Sequence, residues 1–174
     1  MKNIGGELSI DPKHLTSDSI NENEDGLFST GRDAFRAIIE RIVGLYENII
    51  LFLPTYRCIS LDQSLKSIDI DIIDYPVSID LTPNLNTVID KKHFARKVIL
   101  VINYFGLINV NEIIKNIRKG FPNSIIILDH VQAPFADVPP HADVAFTSYR
   151  KAFGVPEGAY VQNVKDFSVG SRNY

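Results

Sequence analysis

The sequence predicts an α/β fold: a mostly parallel sheet of about seven strands, with one strand antiparallel. Three observations carry the prediction. Residues 98–102 (Val-Ile-Leu-Val-Ile) and 125–128 (Ile-Ile-Ile-Leu) are unbroken apolar runs of strand length, the pattern of strands covered on both faces. Segments with apolar residues at helical spacing, or long crossovers, separate these runs, as parallel strands require. The runs also end at Pro54, Asn103, Asp129 and Ser148, where a sheet would present its ligand-contacting loops.

Taken in order, residues 1–24 are polar and read as an N-terminal arm, and Leu27 with Phe28 as a very short strand. Ser29-Thr30-Gly31-Arg32-Asp33 then opens a helix whose apolar stripe is Phe35, Ile38, Ile39, Ile42 and Val43. Ser29 or Thr30 can cap it, and Asp33 suits its first turn. Such an end is either simply capped or a phosphate seat, because it exposes unpaired N–H groups and the positive pole of the helix. Arg32 opposes that pole unless an anion lies near.

Residues 49–53 form the next strand, ended by Pro54. In its exit loop Tyr56 can stack on a flat ring or pack on the protein, and Cys58 reads as a small buried residue. A weak helix over 62–67 precedes 68–75, where Ile68, Ile70 and Ile72 alternate with Asp69 and Asp71. That alternation predicts a half-exposed edge strand with solvated aspartates. After the break at 80–84 comes a short helix, then the central strand over 98–102 with its exit Asn103-Tyr104-Phe105-Gly106. A helix over 111–119, stopped by Gly120, leads to the strand over 124–128 and its exit Asp129-His130-Val131-Gln132. A last pair of strands, 144–146 and 158–162, flanks Ser148-Tyr149-Arg150-Lys151. Their connection is short, which makes the final strand antiparallel.

At 174 residues the chain fits one domain with a substantial core. A net charge of −3 gives no basic footprint, so neither nucleic acid nor an anionic membrane is the expected partner. No apolar run approaches bilayer length, the N-terminus carries no secretory signal, and the single Cys58 cannot form an internal disulfide. A cytoplasmic protein is expected.

The strand exits therefore offer Tyr56, Asn103, Asp129 with Gln132, and Ser148 with Lys151, beside the helix start at Thr30 and Gly31. A lysine at a strand exit is either a solvated surface group or, partly desolvated, an amine nucleophile toward a carbonyl. Together these residue types meet the needs of pyridoxal 5'-phosphate: an amine for the aldehyde, a carboxylate for the ring nitrogen, and N–H and hydroxyl groups for the phosphate. In sequence, the order Ser-Thr-Gly-Arg-Asp-Ala, Leu-Pro-Thr-Tyr, Asn-Tyr-Phe-Gly, Leu-Asp-His-Val-Gln and Ser-Tyr-Arg-Lys resembles the three-layer large domain of fold-type I pyridoxal-phosphate aminotransferases. Within them it is similar to the DegT/DnrJ branch, which includes nucleotide-sugar aminotransferases. The resemblance spans about residues 27–161.

That resemblance implies specific roles. Lys151 would be the aldimine lysine and the catalytic acid/base, and Asp129 the partner of the pyridine nitrogen. Gln132 would lie near the phenolic oxygen and Tyr56 would stack on the ring. Thr30, Gly31, Arg32 and Ser148 would hold the phosphate. It further implies a small-molecule amino donor, a keto acceptor such as a nucleotide sugar, a homodimer, and a division into the arm and a cofactor-binding large domain over 25–174, with the family's smaller C-terminal domain absent. A non-catalytic remnant or interaction subunit is the alternative. Metal-assisted hydrolysis by Asp129, His130, His141 and Asp143 is a weaker rival, because those residues lack close ligand spacing; no metal is expected.

Overall fold

The apolar runs become the middle of a seven-stranded sheet in a computed structural model that describes residues 26–87 and 95–163. In chain order the elements are β1 (Leu27–Phe28), α1 (Gly31–Leu45), β2 (Ile49–Pro54), α2 (Ile59–Ser64), β3 (Asp71–Tyr75), β4 (Arg96–Ile102), α3 (Val110–Gly120), β5 (Ile125–Asp129), β6 (Val144–Ser148) and β7 (Ala159–Asn163). The sheet order is β1-β7-β6-β5-β4-β2-β3. Strands β3, β2, β4, β5 and β6 run parallel, and β7 is antiparallel to both of its neighbours. This is the mixed sheet the sequence predicts.

Alternate residues of each central strand feed opposite sides of the sheet, which is why the runs are apolar throughout. Leu51, Val98, Leu100, Ile127 and Phe146 pack on one face with Phe35, Ile38 and Ile42 of α1 and Leu61 of α2. Phe52, Ile99, Val101, Ile126 and Leu128 pack on the other with Ile114 and Ile117 of α3. Each fully buried aliphatic side chain contributes roughly 1.5–3 kcal/mol. The result is three layers, helix on sheet on helix. The C-terminal ends of β2, β4, β5 and β6 therefore open side by side at one edge.

Local boundaries differ in two places. The helix expected over 62–67 forms instead at Ile59–Ser64, because Ser67 takes a left-handed φ of 68° that ends helical geometry. The edge strand begins at Asp71, since Ile68 and Ile70 turn into the core below α1 while Ile72 faces out. Its edge position is as expected. The arm over 1–24, residues 88–94 and the domain's end past residue 163 lie outside the described residues. Among the described residues no helix is long and apolar enough to cross a membrane.

Candidate functional site

One cavity of about 550 Å³ lies over the strand ends, and Thr30, Gly31, Arg32, Tyr56, Asp129, Gln132, Ser148 and Lys151 all line it. The structure thus brings together every site residue the sequence singled out. Asn103 is the exception among the strand-exit groups. It is buried at 2 % exposure and does not line the cavity.

Thr30 is the N-cap of α1. Its hydroxyl donates to the Asp33 carboxylate at 2.6 Å and accepts from the Asp33 N–H at 3.3 Å. With the side chain so engaged, no partner for the Gly31 and Arg32 amides is found among the described residues, and both residues line the cavity. Space for a side chain is tight here: a Cβ on Gly31 would lie 3.2 Å from Val131 Cγ2, closer than most such contacts, and at an ordinary 3.5 Å from Ser148 Cβ. A side chain at this position would press on Val131, so glycine eases the close approach of the helix start to the ends of β5 and β6.

Asp129 ends β5 and is buried at 7 % exposure. Its Oδ1 accepts from the Val131 N–H at 2.8 Å. Burial pushes its carboxyl up to about 7, against the opposing pull of that hydrogen bond and of the Lys151 charge. Lys151 closes a 3-10 turn (Tyr149–Lys151) directly after β6 and is exposed at the cavity rim. Ser148, at the end of β6, is buried, with its hydroxyl 3.5 Å from the Gly158 carbonyl.

Tyr56 stacks on Tyr104, the ring centroids 5.4 Å apart and the planes inclined by 24°. One side of its ring packs on the protein through this contact, and more than half of the side chain remains exposed. Gln132 accepts the Phe105 N–H through Oε1 at 3.3 Å. Arg57 also lines the cavity, but its guanidinium is held by Asp62 and Asp74 at 2.6 and 2.9 Å and by the Pro54 carbonyl.

Cys58 corrects an expectation. It is exposed and lines the cavity, because it stands at the start of α2, outside the packed layer. A hydrogen bond from the Ser60 hydroxyl at 3.1 Å is the main cause lowering its thiol below the usual value, and the Lys151 charge adds to it. Tyr104 was also missed as a site residue. Its position inside Asn-Tyr-Phe-Gly at a strand exit was the available signal, but its partner is 48 residues away.

Two residues of the metal reading, Asp143 and His130, are engaged elsewhere. Asp143 accepts from Arg118 at 2.5 Å and from the Ile126 N–H at 2.7 Å, and His130 Nδ1 lies 3.2 Å from the Ala133 carbonyl. Among the described residues no three His, Cys, Asp or Glu side chains come together as metal ligands.

Chemically, the cavity offers N–H groups for an anion, a buried carboxylate for a cationic ring atom, a primary amine for a carbonyl, and an aromatic wall. The fold holding these groups is that of the large domain of fold-type I pyridoxal-phosphate transferases. Solved structures that share it include NtdA from Bacillus subtilis with bound cofactor PMP, at 16% identity and a TM-score of 0.67, covering 82% of this chain and 34% of that one. A DegT DnrJ EryC1 StrS aminotransferase from Brucella abortus is similar at 15% identity and a TM-score of 0.59, over 80% of this chain and 41% of that one. The sugar aminotransferase CalS13 from Micromonospora echinospora matches at 14% identity and 0.61, over 81% and 42%. This chain thus spans about a third to two-fifths of the length of these structures. No family model and no curated protein matches the sequence.

Proposed function

We propose that the chain is the cofactor-binding part of a pyridoxal-phosphate-dependent aminotransferase. The observation that supports this most is the buried Asp129 carboxylate facing the same cavity as the Lys151 amine and the open start of α1. A carboxylate with its charge desolvated is a poor structural choice unless a cation comes to meet it. The protonated nitrogen of a pyridine ring is such a cation. The glycine cradle at Gly31 and the unpartnered amides beside it fit a phosphate. The residues present therefore suit pyridoxal 5'-phosphate, which when bound supplies an electron-withdrawing ring that stabilises negative charge on the attached carbon.

In this reading Gly31 and Arg32 hold the phosphate through backbone N–H groups, with Ser148 beside them. Thr30 contributes by fixing the helix start. Asp129 keeps the ring nitrogen protonated, and its own elevated proton affinity falls once that cation is beside it. Tyr56 would pack against the ring as the aromatic wall of the cavity, and the Gln132 amide would be a hydrogen-bonding partner for it. Lys151, whose amine is exposed at the cavity, would hold the cofactor through Nζ and, as an amine base, would take a proton from the α-carbon of a bound amino donor and give it back as an acid. A keto acceptor, a sugar nucleotide among the candidates, then receives the amino group. Its support is the resemblance to sugar aminotransferases. A homodimer and a cytoplasmic setting belong to the same proposal.

The test is a titration of the purified chain with pyridoxal 5'-phosphate, followed by visible absorption, borohydride reduction and peptide mapping. Cofactor fixed to a peptide containing Lys151 is the expected result. No visible band, or label on another lysine, overturns the reading.

A further inference from the structure

The turn at the exit of β4 touches two of the proposed cofactor contacts at once. Tyr104 is buried at 3 % exposure, and its hydroxyl donates to the Tyr56 carbonyl at 2.5 Å while its ring stacks on the Tyr56 ring. Its neighbour Phe105 sits at φ 55° and ψ 13°, the left-handed region an aromatic residue rarely adopts, and from there its N–H reaches Gln132 Oε1. Backbone strain of this kind persists only where the surroundings impose it. Strands β2 and β4 are neighbours, so the bond from Tyr104 spans two adjacent exits. In the loop after Pro54 the Thr55 N–H is held by the Tyr75 carbonyl at 2.9 Å and Arg57 by Asp62 and Asp74, but these bonds hold the neighbours of Tyr56; its own side chain is more than half exposed and its carbonyl and ring meet Tyr104.

We propose that Tyr104 is a positioning residue, which through its hydroxyl and ring sets the plane of Tyr56 and so the aromatic wall of the cavity. Its role toward the cofactor rests on the pyridoxal-phosphate reading above. A free tyrosine on an exposed loop samples several rotamers, and a ligand that needs it in one must supply the ordering entropy. Tyr104 removes that cost before binding. The same turn fixes Gln132, so two cofactor contacts are pre-set by one segment. Burial raises the Tyr104 phenol far above its usual value, which keeps the hydroxyl protonated and donating at every physiological pH.

Tyr104→Phe keeps the ring and deletes the donor. In the cofactor-free chain, hydrogen exchange of the peptide spanning residues 54–61 should accelerate roughly fivefold, the weight of one lost hydrogen bond. With pyridoxal 5'-phosphate added, affinity should fall by a similar factor, about fivefold, and the induced circular dichroism of the visible band should shrink. Tyr75→Phe is the control. It deletes another buried phenol bond, to the Leu100 carbonyl at 2.6 Å, in a residue that does not line the cavity, and should lower stability without changing the dichroism. Unchanged exchange in Tyr104→Phe overturns the latch. Unchanged affinity and dichroism overturn its role toward the cofactor, as does a Tyr75→Phe variant that matches Tyr104→Phe in both. A wild-type chain that binds no cofactor refutes the pyridoxal-phosphate reading instead, and the exchange result then decides alone whether Tyr104 holds the loop.

Discussion

Replacing Asp129 by Asn should make the cofactor-free protein more stable at alkaline pH and leave it little changed in acid. The carboxyl has an ordinary value of 3.8 and is held at about 7 in the fold, mainly by burial. The native state therefore binds one proton more than the unfolded chain across the window from 3.8 to 7. Stability is lost as pH rises through that window, at about 1.4 kcal/mol per pH unit. Between about pH 5 and about pH 8 the wild type should lose roughly 3 kcal/mol that Asp129→Asn retains. Urea unfolding of both proteins at the two pH values measures this, because the midpoint moves with stability while the slope reports unchanged exposed surface. A difference between variant and wild type that is the same at both pH values would refute the reasoning, since it would mean the carboxylate is already solvated or paired. Adding pyridoxal 5'-phosphate at the higher pH gives the functional half. The cofactor should raise the melting temperature of the wild type more than that of the variant, because only the carboxylate gains a cationic partner.

Further expectations concern the other parts of the site and one structural network. Lys151→Ala should abolish borohydride-trapped cofactor while changing stability by no more than about 0.5 kcal/mol, because the side chain is exposed; mass spectrometry and thermal melting check the two halves. Gly31→Val places methyl groups beyond a Cβ already 3.2 Å from Val131, and should cost about 1–3 kcal/mol in urea unfolding and eliminate phosphate-dependent cofactor affinity. Arg118→Ala removes the partner of Asp143 and the donors to Ser124 and His141 at 2.6 and 3.0 Å. Unfolding should show a loss of about 3 kcal/mol, and cofactor binding at a temperature where the variant is folded should be unaffected.

The core was legible because its signal is local. An unbroken run such as 98–102 has no polar face to show to water, so it must be covered on both sides, and the structure buries Val98, Ile99, Leu100 and Val101 completely. The start of α1 was equally readable, since a threonine followed three residues on by aspartate caps a helix with its own side chains. Where the pattern is weak, the reading slipped: α2 has an exposed Ile59 and no continuous apolar stripe, so its position depended on where Ser67 forces a turn. Cys58 shows the same limit, because an apolar residue type does not say which side of a loop it occupies.

The sequence by itself determined the fold class, the antiparallel last strand and part of the cavity lining, Tyr56, Asp129, Gln132, Ser148 and Lys151 among it, because strand exits follow directly from where apolar runs stop; Cys58 and Tyr104 were not read from it. Only the tertiary structure decided how those residues behave. The elevated proton affinity of Asp129 comes from its burial, the tight space at position 31 from the approach of α1 to Val131 and Ser148, and the hydrogen bond to the Tyr56 carbonyl from a hydroxyl 48 positions along the chain. Each is a distance between segments remote in sequence. Periodicity encodes which face a residue takes within its own element, and carries no information about what the neighbouring element places opposite it.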